Sequence, residues 1–186
     1  MIKLFDNIYG DKFNLIELNL KYINDMFEYS SDDRLYEHFE FPPQKSYQNT
    51  KEYLENLIVR SNKDDANWWF VQSNESLKVI GSFGMHEIDL RKGCCEISYA
   101  ISPNYWGSGA FMEVLNNSLR RLFYDFNFHR VTAVTASENY RSINALKKVG
   151  FKEEGLFQDF YLDYKGTRGN ATSLALLSKD YINNKL

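Results

Sequence analysis

The segment from Ser102 to Ala110, Ser-Pro-Asn-Tyr-Trp-Gly-Ser-Gly-Ala, most constrains how this 186-residue chain can fold. It follows a segment with strand-forming residues, Cys94–Ile101. It precedes apolar positions that recur every three or four residues from Phe111 to Phe126, a spacing that predicts a strongly amphipathic helix. The sequence therefore predicts a strand, a glycine turn and a helix that packs one face on a sheet.

This junction has the chemistry of a phosphate site. Gly107 and Gly109 permit a tight turn and leave no side chain between the backbone and a ligand, while the unpaired N–H groups and the dipole of the helix favour anionic oxygens. The expected ligand carries a pyrophosphate.

The alternative is that the two glycines only shape a loop. A dinucleotide fingerprint would need glycine at Met112, and a nucleotide P-loop would need Gly-Lys-Ser/Thr after four spacers; neither is present.

Strand-like and helix-like segments alternate along the chain, which predicts a mixed α/β fold. No repeat, low-complexity stretch or flexible linker interrupts it, so we expect one domain over residues 1–186. Three neighbouring strands joined by short polar turns predict an antiparallel meander. The expected helices are two short ones within Leu20–Phe41, then Ser46–Arg60, Phe111–Phe126 and Tyr140–Val149; the expected strands are Trp68–Gln72, Val79–Glu87, Cys94–Ile101, Arg130–Ala136 and a final hairpin of Leu156–Asp163 and Ser173–Leu177.

Charge and cysteine content argue against several classes of protein. The chain has 22 Lys+Arg against 25 Asp+Glu, which argues against a nucleic-acid partner because such a partner needs a basic surface. No run approaches the roughly 20 apolar residues of a membrane helix, and the N-terminus lacks the apolar core of a signal peptide, so we expect a cytoplasmic protein without a membrane partner. The two cysteines, Cys94 and Cys95, are adjacent, which disfavours a disulfide; they are expected to be small strand residues, and no metal is expected.

Three short motifs follow one another along the chain. They are Glu-Ile-Ser-Tyr at 96–99, Asn-Tyr-Trp-Gly-Ser-Gly at 104–109, and Asn-Tyr-Arg-Ser at 139–142 continuing to Gly-Phe-Lys-Glu-Glu-Gly at 150–155. Together they resemble the GNAT superfamily of acetyl-CoA-dependent N-acetyltransferases, in particular its ribosomal-protein N-acetyltransferase, or Rim-type, branch. Asn104 departs from the Gln or Arg usual at the first loop position. The resemblance covers nearly the whole chain and implies an α/β (α+β) GNAT fold, with a mixed, mostly antiparallel central sheet of about six to seven strands flanked by helices.

The resemblance implies acetyl-CoA as the co-substrate. Its pyrophosphate would lie on the backbone N–H groups from Gly107 to Phe111, and its pantetheine arm would pair with the strand backbone from Tyr99 to Ile101. The acceptor amine would attack the thioester directly, with a backbone N–H stabilising the oxyanion and no covalent enzyme intermediate. The residues expected to bind the cofactor are Tyr99, Ile101, Asn104, Trp106, Gly107, Ser108, Gly109, Ala110, Phe111, Asn139 and Ser142.

The resemblance also implies a residue that serves the leaving thiolate. Many superfamily members use a tyrosine on the helix after Asn139, but Leu146 stands at its expected place. The Rim-type branch uses the serine of Asn-x-x-Ser, so Ser142 is the expected hydrogen-bond donor to the coenzyme A sulfur, and Asn139 is expected to bind the pantetheine. Both residues are also suited to helix capping, and the two roles can coexist.

The amine must be neutral to attack, and two strand residues are candidates to accept its proton. Glu96 would act through water beside the thioester; the alternative is a structural charge pair. His86 has a reference pKa of about 6.5, which suits a base; the alternative is a satisfied or surface histidine. Asp159 and Tyr161 lie in uncertain register on the last hairpin, where some relatives carry a carboxylate. The base is therefore left unassigned.

Helices near the N-terminus usually cover the acceptor side of this fold. Tyr36, Phe39 and His86 are expected to contact the acceptor, with core packing as the alternative for most rings of this region. Aromatic walls favour an uncharged or partly apolar primary amine, either a protein N-terminal α-amino group or a small-molecule amine such as an amino sugar or an aminoglycoside. Four acidic residues keep a polyamine as an alternative: Glu37, Glu40, Asp32 and Asp33.

A different class of function is a non-catalytic acetyl-CoA-binding or sensing module. In that interpretation Asn104 and Leu146 reflect lost chemistry, whereas the presence of Ser142 and Glu96 favours an enzyme. The chain is expected to act as a monomer or a homodimer.

Overall fold

One seven-stranded sheet runs through the structure, a computed structural model that describes residues 6–183. The strands lie across it in the order β1-β2-β3-β4-β5-β7-β6, and every neighbouring pair is antiparallel except β4 and β5, which are parallel. In chain order they are β1 (Phe13–Glu17), β2 (Asn67–Ser73), β3 (Val79–Asp89), β4 (Cys94–Ile101), β5 (Arg130–Ala136), β6 (Lys152–Leu162) and β7 (Arg168–Leu177).

Helices pack on both faces of this sheet. Ser46 caps the second helix by accepting from the Asn49 N–H, and Gly150 ends the fourth at a φ of 110°, a conformation that favours glycine. The helices are α1 (Ile23–Ser30), α2 (Tyr47–Ser61), α3 (Ala110–Arg120), α4 (Tyr140–Val149) and α5 (Ser178–Asn183), with short 3-10 turns at Leu20–Tyr22, Asp33–Tyr36 and Pro103–Tyr105 and a π-helical turn at Arg121–Asp125.

Two hydrophobic clusters fill the space between the helices and the sheet. Trp69 belongs to the same cluster as Leu115 of α3 and Leu146 of α4, whereas its neighbour Phe70 belongs with Leu54 of α2 to the other cluster. Successive strand residues point to opposite faces, so the apolar run of β2 supplies both clusters at once. The central strands are therefore covered on both sides.

The predicted mixed α/β architecture with about six to seven mostly antiparallel strands is confirmed. The bounds of β4, β5 and α4 are those predicted from the sequence. β1 and α5 were not predicted, because five and six residues are too short to show a clear period. The predicted second short helix is only a 3-10 turn, and the predicted helix to Phe126 changes to a π-helical turn after Arg120.

No helix within residues 6–183 is both long enough and apolar enough to cross a membrane.

The close contact between β2 and β3 generates a stability prediction. A Cβ atom at Gly84 would lie 1.9 Å from Nε1 of Trp68, so we expect Gly84→Ala to lower the free energy of unfolding by about 1–3 kcal/mol. Urea denaturation measures this. Gly155→Ala is the matched control, since a Cβ on that strand residue meets no atom within 4 Å, and its free energy of unfolding should stay within about 0.5 kcal/mol of the parent. An unchanged stability of Gly84→Ala would contradict the packing described.

Candidate active site

The strands β4 and β5 pair only at their beginnings and then separate. Cys94–Glu96 pairs with Arg130–Thr132, and no further pairs join the two strands within the described chain. Beyond Glu96, β4 stays paired with β3 as far as Ile101, and β5 stays paired with β7 along its whole length. A gap therefore opens in the middle of the sheet after Glu96.

Alternate residues of β4 direct their backbone N–H and C=O groups into this gap. The Ser102 N–H donates to the Ile80 carbonyl, and in an antiparallel ladder such bonds recur at every second residue. The backbone groups of the alternate residues, Tyr99 and Ile101 among them, consequently point away from β3 and toward β5. The Ile101 carbonyl accepts a hydrogen bond from Trp106 Nε1 at 2.9 Å. The N–H and C=O of Tyr99 and the N–H of Ile101 are thus directed at whatever occupies the gap.

The loop that follows β4 is open toward solvent in front of its glycines. Gly107 and Gly109 have φ values of 78° and 91°, and a Cβ atom at either position would meet nothing within 4 Å. The first hydrogen bond of α3 runs from the Glu113 N–H to the Gly109 carbonyl, so the N–H groups of Phe111 and Met112 lie ahead of it. With the helix dipole behind them, these groups form a helix terminus whose chemistry suits anionic oxygens.

Ser108 and Ala110 belong to the same turn. The Ser108 hydroxyl donates to the Tyr105 carbonyl at 2.7 Å, and the Ala110 N–H donates to the Ser108 Oγ at 3.2 Å. These bonds fix the turn internally. Ser108 holds the loop in shape, while the N–H groups beyond Ala110 face outward.

Two arginines that the sequence analysis did not single out contact this loop. Arg34 donates to the Asn104 side chain at 2.9 Å and is held by Asp32. The Arg141 guanidinium lies 3.5 Å from the centre of the Trp106 ring. Asn104, the departure from the family loop, thus links the loop to the N-terminal part of the chain across 70 residues, a separation that no local pattern reveals.

Two adjoining cavities occupy the gap and its surroundings. The first, of about 500 Å³, lies among the glycine loop, the start of α3, and α4, and three cationic side chains line it: Arg34, Arg141 and Lys148. The second, of about 340 Å³, lies among β4, β5 and the end of β6. The residues that line both cavities are His38, Phe39, Tyr99, Asn139 and Ser142.

A hydrogen-bonded pair of hydroxyls lies where the cavities adjoin. Ser142 is only 9% exposed, and its Oγ is 2.6 Å from the Tyr99 hydroxyl. Burial raises the pKa of Tyr99 to about 12, against the opposing effect of the Ser142 hydrogen bond. Asn139 caps α4 by accepting from the Ser142 N–H at 3.1 Å, so the capping role anticipated for Asn139 is present.

The two candidate bases, Glu96 and His86, are brought face to face on neighbouring strands. They are directly paired across β3 and β4, with 3.9 Å between His86 Nε2 and Glu96 Oε1. Burial, and secondarily the Glu87 carboxylate, raises the pKa of Glu96. Burial, and secondarily the Arg60 cation, lowers the pKa of His86. Both shifts disfavour the charged forms.

The two residues differ in their access to the cavities. Glu96 lines the second cavity, whereas His86 stacks parallel on the Trp68 ring at 5.9 Å between centroids and lies outside the lining of both cavities. The structure therefore places Glu96 toward the cavity and His86 beside it.

Other candidates from the sequence are placed as follows. Phe39 lines both cavities, but Tyr36 is 4% exposed and packs against Phe39 and Phe41 in an aromatic cluster. Leu146 is fully buried in the core. Tyr161 lines the second cavity, and burial raises its pKa to about 12.

The cysteine Cys95 lies in the core and lines neither cavity. Cys95 is 2% exposed and burial raises the pKa of its thiol to about 12, which keeps it protonated and unreactive. Residues 6–183 contain no group of three or more His, Cys, Asp or Glu side chains arranged to hold a metal ion.

Comparison with known proteins gives the following similarities. Residues 12–152 match the family model for the acetyltransferase (GNAT) domain. The uncharacterized N-acetyltransferase p20 of Bacillus licheniformis is 26% identical over 176 residues, which cover 95% of this chain and 98% of that protein. The ribosomal protein uS5-alanine N-acetyltransferase of Escherichia coli is 31% identical over 68 residues, or 37% of this chain and 35% of that protein.

A solved structure supports the same grouping at the level of the fold. The microcin C7 self immunity acetyltransferase MccE, in complex with acetyl-CoA and AMP, has a TM-score of 0.81 and 17% identity over 90% of this chain and 93% of that chain. The family match spans well over half of the chain and contains both the glycine loop and the start of α4. The chain therefore belongs to the GNAT family of acetyl-CoA-dependent acetyltransferases.

Proposed function

We propose that the protein transfers the acetyl group of acetyl-CoA to a primary amine by direct attack within a ternary complex. The observation that carries this proposal is the meeting of the two cavities at Tyr99 and Ser142. One cavity has a helix N-terminus, three cationic side chains and the Glu37 carboxylate, and the other has two carboxylates, Glu40 and Glu96. Two substrates can approach one point from two sides, so no covalent enzyme intermediate is needed.

The first cavity suits acetyl-CoA in three respects. The N–H groups of Phe111 and Met112 suit the pyrophosphate, and Arg141 and Lys148 add positive charge for phosphate groups. The backbone of Tyr99 can pair with the amide groups of pantetheine in the manner of an added strand. A backbone N–H in this gap is also placed to stabilise the oxyanion that forms at the thioester carbonyl. Ser142 is then placed to donate a hydrogen bond to the departing sulfur.

The second cavity suits the amine. Glu96 and Glu40 are its carboxylates, and none of the described residues that line it is lysine or arginine. A protonated amine is drawn to such a site and must then lose a proton, which costs about 1.4 kcal/mol at pH 7 for an amine of pKa about 8 but about 4.6 kcal/mol for one of pKa about 10.4. Glu96, with a raised pKa, is a suitable acceptor through water.

The lower cost of deprotonation favours a primary amine of low pKa as the acceptor. Phe39, Phe41 and Phe160 form much of the cavity wall, so the groups next to this amine are expected to be apolar or aromatic. A protein α-amino group and a small-molecule amine both meet this description. The Escherichia coli relative, named as an alanine N-acetyltransferase of a ribosomal protein, supports the first.

The direct test is acetyl-CoA-dependent thiol release with a panel of N-terminal peptides, amino sugars, aminoglycosides and polyamines, together with calorimetric binding of coenzyme A. Amine-dependent release supports the proposal and identifies the acceptor class. Tight coenzyme A binding without release on any acceptor would favour a binding module instead.

The loop assignment predicts the effect of charge at Gly107. We expect Gly107→Glu to weaken coenzyme A binding at least about tenfold more than Gly107→Gln, because a carboxylate would face the pyrophosphate. Both variants share the same backbone strain at positive φ, so their difference isolates the charge. Calorimetry measures both affinities, and equal values would show that the phosphate lies elsewhere.

The role of Ser142 predicts a loss confined to turnover. We expect Ser142→Ala to lower kcat at least about tenfold with little change in KM for acetyl-CoA, because the lost hydrogen bond acts chiefly on the transition state. Ser118→Ala on α3 is the control, since its hydroxyl is buried and bonded within its own helix. Normal turnover by Ser142→Ala would exclude it as the donor to sulfur.

The raised pKa of Glu96 predicts a distinctive pH profile. As pH falls below the pKa of the acceptor amine, log kcat/KM should fall in a first-order manner, because only the neutral amine attacks. The fall should become second-order below the pKa of Glu96, at a pH above that of an ordinary glutamate, because the base is then also protonated. Glu96→Gln should lose this second break, whereas His86→Gln should keep it. A break that persists in Glu96→Gln would assign the base to another group.

A further inference from the structure

Tyr99 and Ser142 carry two hydroxyl protons between them, and their mutual bond uses one. Neither hydroxyl makes another side-chain hydrogen bond within residues 6–183, so one proton of the pair is left for a third group. Both side chains line the two cavities at the place where they adjoin. A ligand bound where the cavities adjoin can therefore accept that proton.

We propose that Tyr99 is a positioning residue for acetyl transfer, its hydroxyl donating to Ser142 Oγ so that the Ser142 proton is turned toward the sulfur of the bound coenzyme. This inference rests on the proposed function and adds to it a second side chain behind the serine. Nothing in the sequence motifs indicates it, because the two residues are 43 positions apart and Tyr99 was expected to contribute backbone groups.

The chemistry of the two hydroxyls sets the direction of their bond. A phenol is more acidic than an aliphatic alcohol, so it is the better donor and the poorer acceptor. Tyr99 therefore donates and Ser142 accepts. A hydroxyl that accepts one hydrogen bond while donating another is polarised and becomes a stronger donor, so Tyr99 strengthens the contact of Ser142 with sulfur.

Packing holds both partners in this geometry. The centroid of the Tyr99 ring lies 4.0 Å from that of the Phe111 ring. The Tyr99 ring is also parallel to the Phe83 ring, with 6.5 Å between the two centroids. Ser142 is fixed from its own helix by the Asn139 cap. The pair thus joins β4 to α4 across the place where the thioester would lie, and neither side chain is free to turn away.

The pair contributes a hydrogen bond and no net proton. In the transfer the amine nitrogen forms a bond to the carbonyl carbon, and the C–S bond breaks with its electron pair going to sulfur. The amine loses one proton to water and Glu96, and the sulfur finally gains one from water. A phenol with a pKa of about 12 does not protonate a thiolate whose parent thiol has a pKa of about 8.5, so Tyr99 and Ser142 stabilise the departing thiolate while keeping their protons.

This arrangement is tested with coenzyme A alone, without any acceptor. The thiol pKa of bound coenzyme A is measured from the ultraviolet absorbance of the thiolate, with bound S-methyl-coenzyme A as the blank that cancels protein tyrosines. We expect the thiolate fraction near the wild-type midpoint to fall about tenfold in Ser142→Ala and about threefold in Tyr99→Phe. The double variant should match Ser142→Ala, because Tyr99 acts through the serine.

A matched control comes from a second buried tyrosine. Tyr29 on α1 is 5% exposed and, unlike Tyr99, lines neither cavity. Tyr29→Phe should leave the thiol pKa unchanged. The ionisable side chains that line the cavities are common to all variants, so their influence on the thiol pKa cancels in the comparison.

The outcomes separate this inference from the proposed function. Failure of the wild-type protein to bind coenzyme A in calorimetry would overturn both. Binding with an equal thiol pKa in wild type and Tyr99→Phe would overturn the positioning role alone, as would a double variant whose effect is the sum of the two single effects. Weakened coenzyme A binding in Tyr99→Phe with an unshifted thiol pKa would show that the tyrosine only packs. With an active acceptor, kcat of Tyr99→Phe should fall about threefold at unchanged KM for acetyl-CoA.

Discussion

The separation of β4 from β5 is the constraint on which the remainder of the site depends. Each strand is held by its other neighbour, β4 by β3 and β5 by β7, so the two can part without either losing its place in the sheet. Backbone groups left unpaired in the interior carry a free-energy cost unless water or a ligand satisfies them. A sheet that opens in this way therefore requires a hydrogen-bonding occupant along the exposed side of β4.

The same strand then leads directly into the second half of the site. Between Tyr99 and Met112 the chain passes from the β4 backbone, through the turn at Gly107 and Gly109, to the first N–H groups of α3. Extended backbone suits an amide-containing arm, and a helix terminus suits phosphate. One continuous piece of chain therefore has the groups to bind both parts of the elongated ligand of the proposed function. Helices on both faces of the sheet fix this piece from behind, through core residues such as Leu115.

The parts of this arrangement that could be predicted from the sequence are local ones. The bounds of β4, β5 and α4 follow from hydrophobic period and from Gly150, and the glycine loop was recognised because its residues are contiguous. The parts that were missed connect distant segments. Arg34 and Asn104 are 70 residues apart, and neither carries a signal of its partner. β1 was missed because a five-residue segment shows too little alternation to distinguish a strand.

On the acceptor side, the sequence could not separate cavity-lining residues from core residues. The sequence leaves the aromatic residues near the N-terminus as either wall or core, and only the three-dimensional structure separates Phe39, which lines both cavities, from Tyr36, which is buried behind it. These two residues are only three positions apart, but the 3-10 turn ends between them, so their side chains lie in different environments.

The bond from the Trp106 indole to the Ile101 carbonyl has a consequence for the dimensions of the donor substrate. An added strand can continue along β4 only while acceptors and donors alternate, and the indole occupies the acceptor that would come next. Under the proposed function, strand-like docking of the ligand is therefore expected to end at Ile101, where the ligand turns toward the helix terminus. Under the proposed function, the strand and the tryptophan together fix the distance from the helix terminus to Ser142, so we expect an acyl carrier with a shorter or longer arm to bring its thioester out of line with Ser142.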